Sequence, residues 1–295
     1  MQAVKSFFST LRPKSFTMKS IFALVMMAFC FLFQSHAQIT PQPSSSQTIV
    51  QGFGLGSITL TYSRPNVKGR QIFGYTEPYG KVWRTGANSA TVLKFSNGVS
   101  IEGHPVPAGE YGLFSIPGEK QWTIILSKKP KQWGAYTYSE ADDYLRFTVT
   151  PTTLPKPVET LTLQFENVFP TSGELHLMWE KTSLMLHLTC DIDATVMARI
   201  DSAMQTDKKP YYDAVIYYWN NNKDMNKALE WAKQIGTIPG MPPMVAKLWL
   251  ARVQLKKGDK QLAIATAQEG IKAATDAKSD EYIRLNKEVV AEASK

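Results

Sequence analysis

The chain has 295 residues, 43% hydrophobic and 20% charged, which excludes a disordered or collagen-like polymer and leaves room for one or two globular domains. Its formal net charge is +8, yet Lys5, Arg12, Lys14 and Lys19 supply half of it within the first 37 residues, where no acid occurs. The remainder is close to balanced, so no basic field argues for a nucleic-acid partner.

The N-terminus has the order of an export signal. Lys19 precedes an apolar run from Ile21 to Phe33, and Ser35-His36-Ala37 places small residues at the −3 and −1 positions of a cleavage site. Residues 1–37 therefore read as a signal peptide cut near Ala37, with Met18 as the more natural start. The run is shorter than the roughly 20 residues of a membrane helix, and no other stretch reaches that length. Cys30 follows the bulky Phe29, where a lipid-anchor signal carries a small residue. The mature protein is expected in the periplasm or outside the cell, with no membrane span. It retains one cysteine, Cys190, so no intramolecular disulfide can form and a packed core must hold the fold.

Residues 38–48, rich in Ser, Pro and Gln, read as a flexible lead-in. Residues 49–193 read as short strands separated by turns. Ile58, Leu60 and Tyr62 alternate with threonines. Ser96-Asn97-Gly98 and Pro117-Gly118-Glu119-Lys120 are hairpin signals. Further strands are expected over 145–149, 158–165, 175–179 and 184–188. The last two form a hairpin with Lys181-Thr182 near its tip, Leu175, Leu177 and Trp179 sharing a face with Leu184, Leu186 and Leu188, and His176 opposite His187. The fold class is a mainly β N-terminal domain, an antiparallel β-sandwich or barrel.

Residues 194–295 change register to an α-helical region with tetratricopeptide-like hairpins. Asp224 and Ala228 recur as Asp259 and Ala263, 35 residues on, near the roughly 34-residue tetratricopeptide period. Gly258-Asp259 supplies a turn between helices, and 279–293 a last amphipathic helix. Such a region either packs on the β domain or offers a groove to a protein partner.

Candidate site residues fall in three groups. Arg64, Lys68, Arg70, Trp83, Arg84 and Asn88 lie in a glycine-punctuated stretch, where fixed donors and a flat ring suit a carboxylate, a phosphate or a sugar. Arginines bonded to turn carbonyls would leave the same pattern. Trp133 and Tyr136, with Tyr138, Asp142 and Asp143 nearby, suit sugar stacking, or else anchor their loop to the domain. His176 and His187, with Glu174 or Glu180, are a weak metal alternative, since metal sites need three or four ligands. No G-x-S-x-G elbow, H-E-x-x-H helix or phosphate loop occurs. Glu77, Glu102, Glu110, Asp142 and Asp143 sit where acids are ordinarily just solvated.

Three blocks carry a family resemblance: 63-SRPNVKGRQIFG-74, 78-PYGKVWRTGANSAT-91 and 105-PVPAGEYGLFSIPGEKQWTIILSK-128. In that order they resemble the family catalogued as domain of unknown function 2911, over about residues 50–190. The resemblance implies an exported protein of Bacteroidetes-type bacteria, often with a helical tail, and assigns no catalytic residue. Where the family pattern has an acid after Gly-Ala-Asn, this chain has Ser89.

Together these readings describe an exported, non-enzymatic ligand- or partner-binding protein of the cell envelope, without a cofactor. Its ligand would be a small molecule or envelope glycan, or a protein held at the helical tail. The alternatives are a secreted carboxylate-dependent hydrolase acting on glycan or a small ester, and a scaffold that binds only through the tail.

Overall fold

A computed structural model describes residues 40–295. The expected signal peptide lies outside the described residues. Ten strands build two antiparallel sheets. The first holds six strands in the order β1 (Ser45–Phe53), β2 (Gly56–Arg64), β3 (Thr91–Phe95), β6 (Gly109–Ile116), β7 (Trp122–Ser127) and β8 (Asp143–Val149). The second runs β5 (His104–Val106), β4 (Val99–Ile101), β10 (Ser172–Thr189) and β9 (Thr152–Glu166). Apolar residues at every second position of both sheets turn inward into one cluster. It includes Ile58, Leu60 and Leu93 from the first sheet and Ile101, Leu163 and Leu177 from the second. The β domain is thus a sandwich.

Two expectations are corrected. The lead-in stops at Ser44, because Ser45 to Thr48 already pair with β2, Ser45 opposite Arg64. Polar composition did not prevent ladder formation once β2 offered a partner edge. Ser96-Asn97-Gly98 is no hairpin tip. β3 pairs with β2 and β6, whereas β4 joins the other sheet, so this turn is the corner where the chain changes sheets. The Ser57 N–H donates to Ser96 Oγ at 2.8 Å, and a Cβ on Gly56 would lie 2.1 Å from that oxygen. A side chain at Gly56 would therefore have to push Ser96 Oγ aside and disturb this bond. The hairpin at 117–120, by contrast, joins β6 to β7 as expected.

β10 needs one further step of reasoning. A straight strand rises about 3.3 Å per residue, which would hold residues 171 and 190 tens of ångströms apart. Instead the Cys190 N–H donates to Thr171 O at 2.9 Å, and His187 lies 4.0 Å from Glu174. β10 therefore doubles back, with Glu180 in the left-handed region at φ 54° near the bend. Leu175, Leu177, Trp179, Leu184, Leu186 and Leu188 are all buried on one face, as the alternation predicts.

Among the described residues six α-helices follow: α1 (Asp193–Ala203), α2 (Tyr211–Asn220), α3 (Met225–Ala232), α4 (Pro243–Lys257), α5 (Lys260–Asp276) and α6 (Asp280–Ala293). None of them is long and apolar enough to cross a membrane. From α2 onward each helix packs on the next. Ala228 and Ala263 are both fully buried, so the small residues noted in the sequence let helices approach. Their cores draw only on residues of the helical region. α4 ends on Gly258 at φ 92°, a left-handed cap that glycine adopts without cost. α3 starts on Asp224, whose carboxylate accepts from the Asn226 and Lys227 N–H groups. Asp224→Ala should cost about 1 kcal/mol, read as a shift of the urea midpoint of the helical region. Asp259, its counterpart by spacing, makes no side-chain cap, so Asp259→Ala should move that midpoint far less.

Candidate functional site

Residues 65–90 connect two adjacent strands, β2 and β3, where about 2–5 residues normally suffice for a hairpin loop. Only isolated bridges organise this segment. It bridges to both sheets, Asn66 to Thr160 of β9 and Trp83 to Ser115 of β6, and drives Ile72, Phe73 and Trp83 into the core. A connection of this length without strands of its own is usually functional.

The segment 83–85 is stitched to β6. Trp83 exchanges both backbone hydrogen bonds with Ser115, at 2.7 and 2.9 Å, and Thr85 Oγ1 bonds Ser115 Oγ at 2.9 Å. Extended pairing alternates side chains. Trp83 and Thr85 point inward, and Arg84 between them is left to face a cleft of about 480 Å³. Lys68, Arg70, Glu77, Arg84, Asn88 and the edge of Trp179 are among its lining. Lys68 and Asn88 of the lining have φ of 50° and 58°, and buried Thr85 beside Arg84 has 52°. Left-handed backbone in three non-glycine residues is strain of the kind that gathers at ligand sites. For β-branched Thr85 it is an outlier, held by the Ser115 contacts and by Thr91 Oγ1, which donates to Thr85 O at 2.7 Å.

The cleft is electropositive and short of partners. Arg84 Nε is buried without a hydrogen-bond partner. Arg70 spends Nε and Nη2 on the carbonyls of Val67 and Asn66, at 3.0 and 2.6 Å. It thereby holds its own turn while still lining the cleft. The Lys68 N–H donates to Glu159 Oε1, which fixes the turn, and exposed Lys68 is among the lining residues. Asn88 Nδ2 donates to Ser44 O and Ser63 Oγ, at 3.3 and 3.4 Å. Glu77 is the carboxyl among the lining residues. Burial pushes it up to about 7, against the opposing pull of Arg84 and then Arg70. A group at that value changes charge near neutral pH.

The expected site residues therefore divide. Lys68, Arg70, Arg84 and Asn88 come together. Arg64 does not join them: its Nε donates to Leu161 O at 3.1 Å and its Nη2 to Thr162 Oγ1 at 2.9 Å, which staples β2 to β9. Trp83 is a core residue at 2% exposure, stacked on Trp179 at 5.7 Å, with its indole N–H donating to Gly86 O. Trp133 and Tyr136 lie outside the cleft lining, on the loop beside it, and both are exposed. Glu77, set aside in the sequence as a solvated loop acid, belongs to the site. The signal that could have found it is its position between Arg70 and Arg84 on one glycine-rich loop.

The histidine pair belongs to a polar cluster with Glu174. His176 Nε2 lies 2.8 Å from Glu174 Oε2, and Asn167 donates to that same carboxylate. Among the described residues no group of three or more His, Cys, Asp or Glu side chains could hold a metal ion. His176 Nε2 also lies 3.7 Å from Glu166 Oε2, and His187 Nδ1 lies 4.0 Å from Glu174 Oε1. In the helical region a groove of about 460 Å³ lies between α2, α4 and α6. There Arg252 covers the rings of Trp249 and Trp219, at 4.8 and 5.6 Å.

Comparison with protein families matches residues 44–188 to a family described as a protein of unknown function (DUF2911). No curated protein and no solved structure matches the chain.

Proposed function

Residues 44–188 make this chain a member of the DUF2911 family, and from that premise we propose an exported, non-enzymatic binding protein of the cell envelope whose β domain holds a small anionic ligand in the cleft of Lys68, Arg70, Arg84 and Asn88. The observation that carries this reading is Arg84 Nε, buried with no partner in the protein. A buried guanidinium N–H left unmet is costly, and an anion entering the cleft would satisfy it with a charge-assisted bond. Hydrolysis by a carboxylate pair is less well supported. It needs two carboxyls about 5–10 Å apart, and among the described lining residues Glu77 is the one carboxyl. Export rests on the basic residue, apolar run and small residues of 19–37.

Calorimetric titration with phosphate, acetate and citrate tests the cleft. Binding of at least one of these anions is expected, weakened at least about tenfold in Arg84→Ala. Stability should stay within about 1 kcal/mol, because the substitution also removes an unsatisfied donor. Equal affinity in the variant would sink the cleft as the site. Export is tested separately by N-terminal sequencing of the protein from fractionated cells. Gln38 as first residue in the periplasm or medium is expected, and an uncut chain retained in the cytoplasm would refute it.

A further inference from the structure

The loop 131–139 was expected either to stack a ligand or to be pinned by its aromatic rings, and the structure separates the two roles. The pins are other residues. Gln132, 8% exposed, donates to Lys129 O at 2.8 Å and accepts from Thr137 Oγ1 at 3.0 Å. Tyr138 covers Phe114 with ring centres 5.2 Å apart and donates its hydroxyl to Asp143. Ala135 packs on the same apolar patch. Trp133 and Tyr136 take no part and stand 66% and 83% exposed. The loop holds its shape without burying either ring, so their apolar faces are left for something that binds.

The Tyr136 ring and the backbone of Trp133 are also held in position. Gly134 between them has φ 66°, and a Cβ there would meet the Tyr136 ring at 2.6 Å, so the tyrosine lies folded over the glycine backbone. Trp133 forms a β-bridge with Ser89, and the Gly134 N–H donates to Asn88 O at 2.9 Å. Asn88 is the residue whose side chain lines the cationic cleft. The aromatic loop and the cleft thus share one wall, a single residue thick in sequence.

We infer that the site takes an acidic saccharide, with a hexuronate carboxylate at Arg84 and a neighbouring sugar ring on the Trp133–Tyr136 platform. This inference rests on the anion-binding reading of the cleft. A simple anion would use Arg84 and Lys68 and leave the rings bare. A neutral sugar would use the rings and leave the guanidinium unmet. A chain of sugar acids supplies both, since pyranose rings present flat C–H faces and hydroxyls while the carboxylate matches a guanidinium fork. Glu77, Asn88 and Lys68 are then among the lining groups able to bond ring hydroxyls.

The test titrates the full mature chain with tetragalacturonate, with neutral cellotetraose and with phosphate, following tryptophan fluorescence and heat. Tetragalacturonate should bind at least about tenfold more tightly than either of the others. Trp133→Ala and Tyr136→Ala, both at exposed positions, should each lower its affinity about tenfold while leaving phosphate binding unchanged. Trp133→Phe should restore most of the loss. Arg84→Gln should abolish binding of both anions. Equal binding of cellotetraose and tetragalacturonate overturns the acidic part of the inference. Unchanged tetragalacturonate affinity in Trp133→Ala, with Arg84→Gln still defective, overturns the platform and leaves the anion cleft standing. No binding of any of the three compounds overturns both readings.

Discussion

Trp83→Ala is expected to cost the β domain about 3–5 kcal/mol, the range for removing a large aromatic side chain from a packed core. Trp83 sits at the centre of a four-ring cluster. Phe73 meets it edge-on at 5.8 Å, Trp122 at 6.2 Å, and Trp179 stacks on it at 5.7 Å with planes 16° apart. Alanine would leave a cavity among these rings, and Gly86 O would lose its donor. The consequence reaches the cleft, because Trp83 and Arg84 are adjacent on the segment stitched to Ser115. Urea denaturation followed by far-ultraviolet circular dichroism measures the loss. A cost below about 1 kcal/mol would mean that the cluster repacks and that the 65–90 loop does not depend on it. The contrast with Arg84→Ala separates a residue that builds the site from one that uses it.

Glu77→Gln should stabilise the protein in alkaline solution and leave it unchanged in acid. The sign follows from where the proton is held more tightly. The folded state holds Glu77's proton up to about pH 7, whereas an ordinary carboxyl releases it near 4.5. Below about 4.5 the group is protonated in both states and costs nothing. Between 4.5 and 7 the unfolded chain gains by ionising while the folded one does not. Above 7 the folded state carries the whole penalty, about 3 kcal/mol at full strength and about 1–3 kcal/mol for a partly buried group. The pull of Arg84 and Arg70 is already contained in that value. Glutamine keeps the shape without the charge. Urea midpoints of wild type and Glu77→Gln should therefore coincide at pH 4 and separate progressively to pH 8. A separation that grows toward acid would show that the carboxylate is stabilised by its arginines instead. The same charge competes with a ligand anion for Arg84, so anion affinity should fall through neutrality in the wild type and stay flatter in the variant.

Much of the architecture follows from local pattern. Period-two alternation located β2 and both arms of β10, the 117–120 turn located the hairpin of β6 and β7, and alternation placed Leu175, Leu177 and Trp179 on the same side as Leu184, Leu186 and Leu188. Backbone pleating imposes that alternation whatever the rest of the chain does. The switch to helical composition after Cys190 marked the start of α1 within a few residues, and Gly258 marked a helix end because few other residues accept its φ. The alternation also carried the pairing of His176 and His187 into one neighbourhood, although their chemistry is hydrogen bonding with Glu174.

The site was only half legible. In residues 65–90 no period constrains a side chain, so each direction is set by partners distant in sequence. Trp83 turns inward because Ser115 pairs with it and Trp179 stacks on it. Arg64 is drawn to the backbone of β9. The corner at Ser96 changes sheets because β4 finds its partner in β10, almost 90 residues on. What the sequence determined by itself is the succession of strands and helices, because periodicity and turn chemistry are properties of neighbouring residues. What only the tertiary structure decided is that Glu77 joins Arg84 in the cleft while Trp83 leaves it, and that Trp133 and Tyr136 stand free while Gln132 and Tyr138 do the anchoring. Those outcomes depend on which side chains the long-range strand pairings bring together, and no local pattern encodes them.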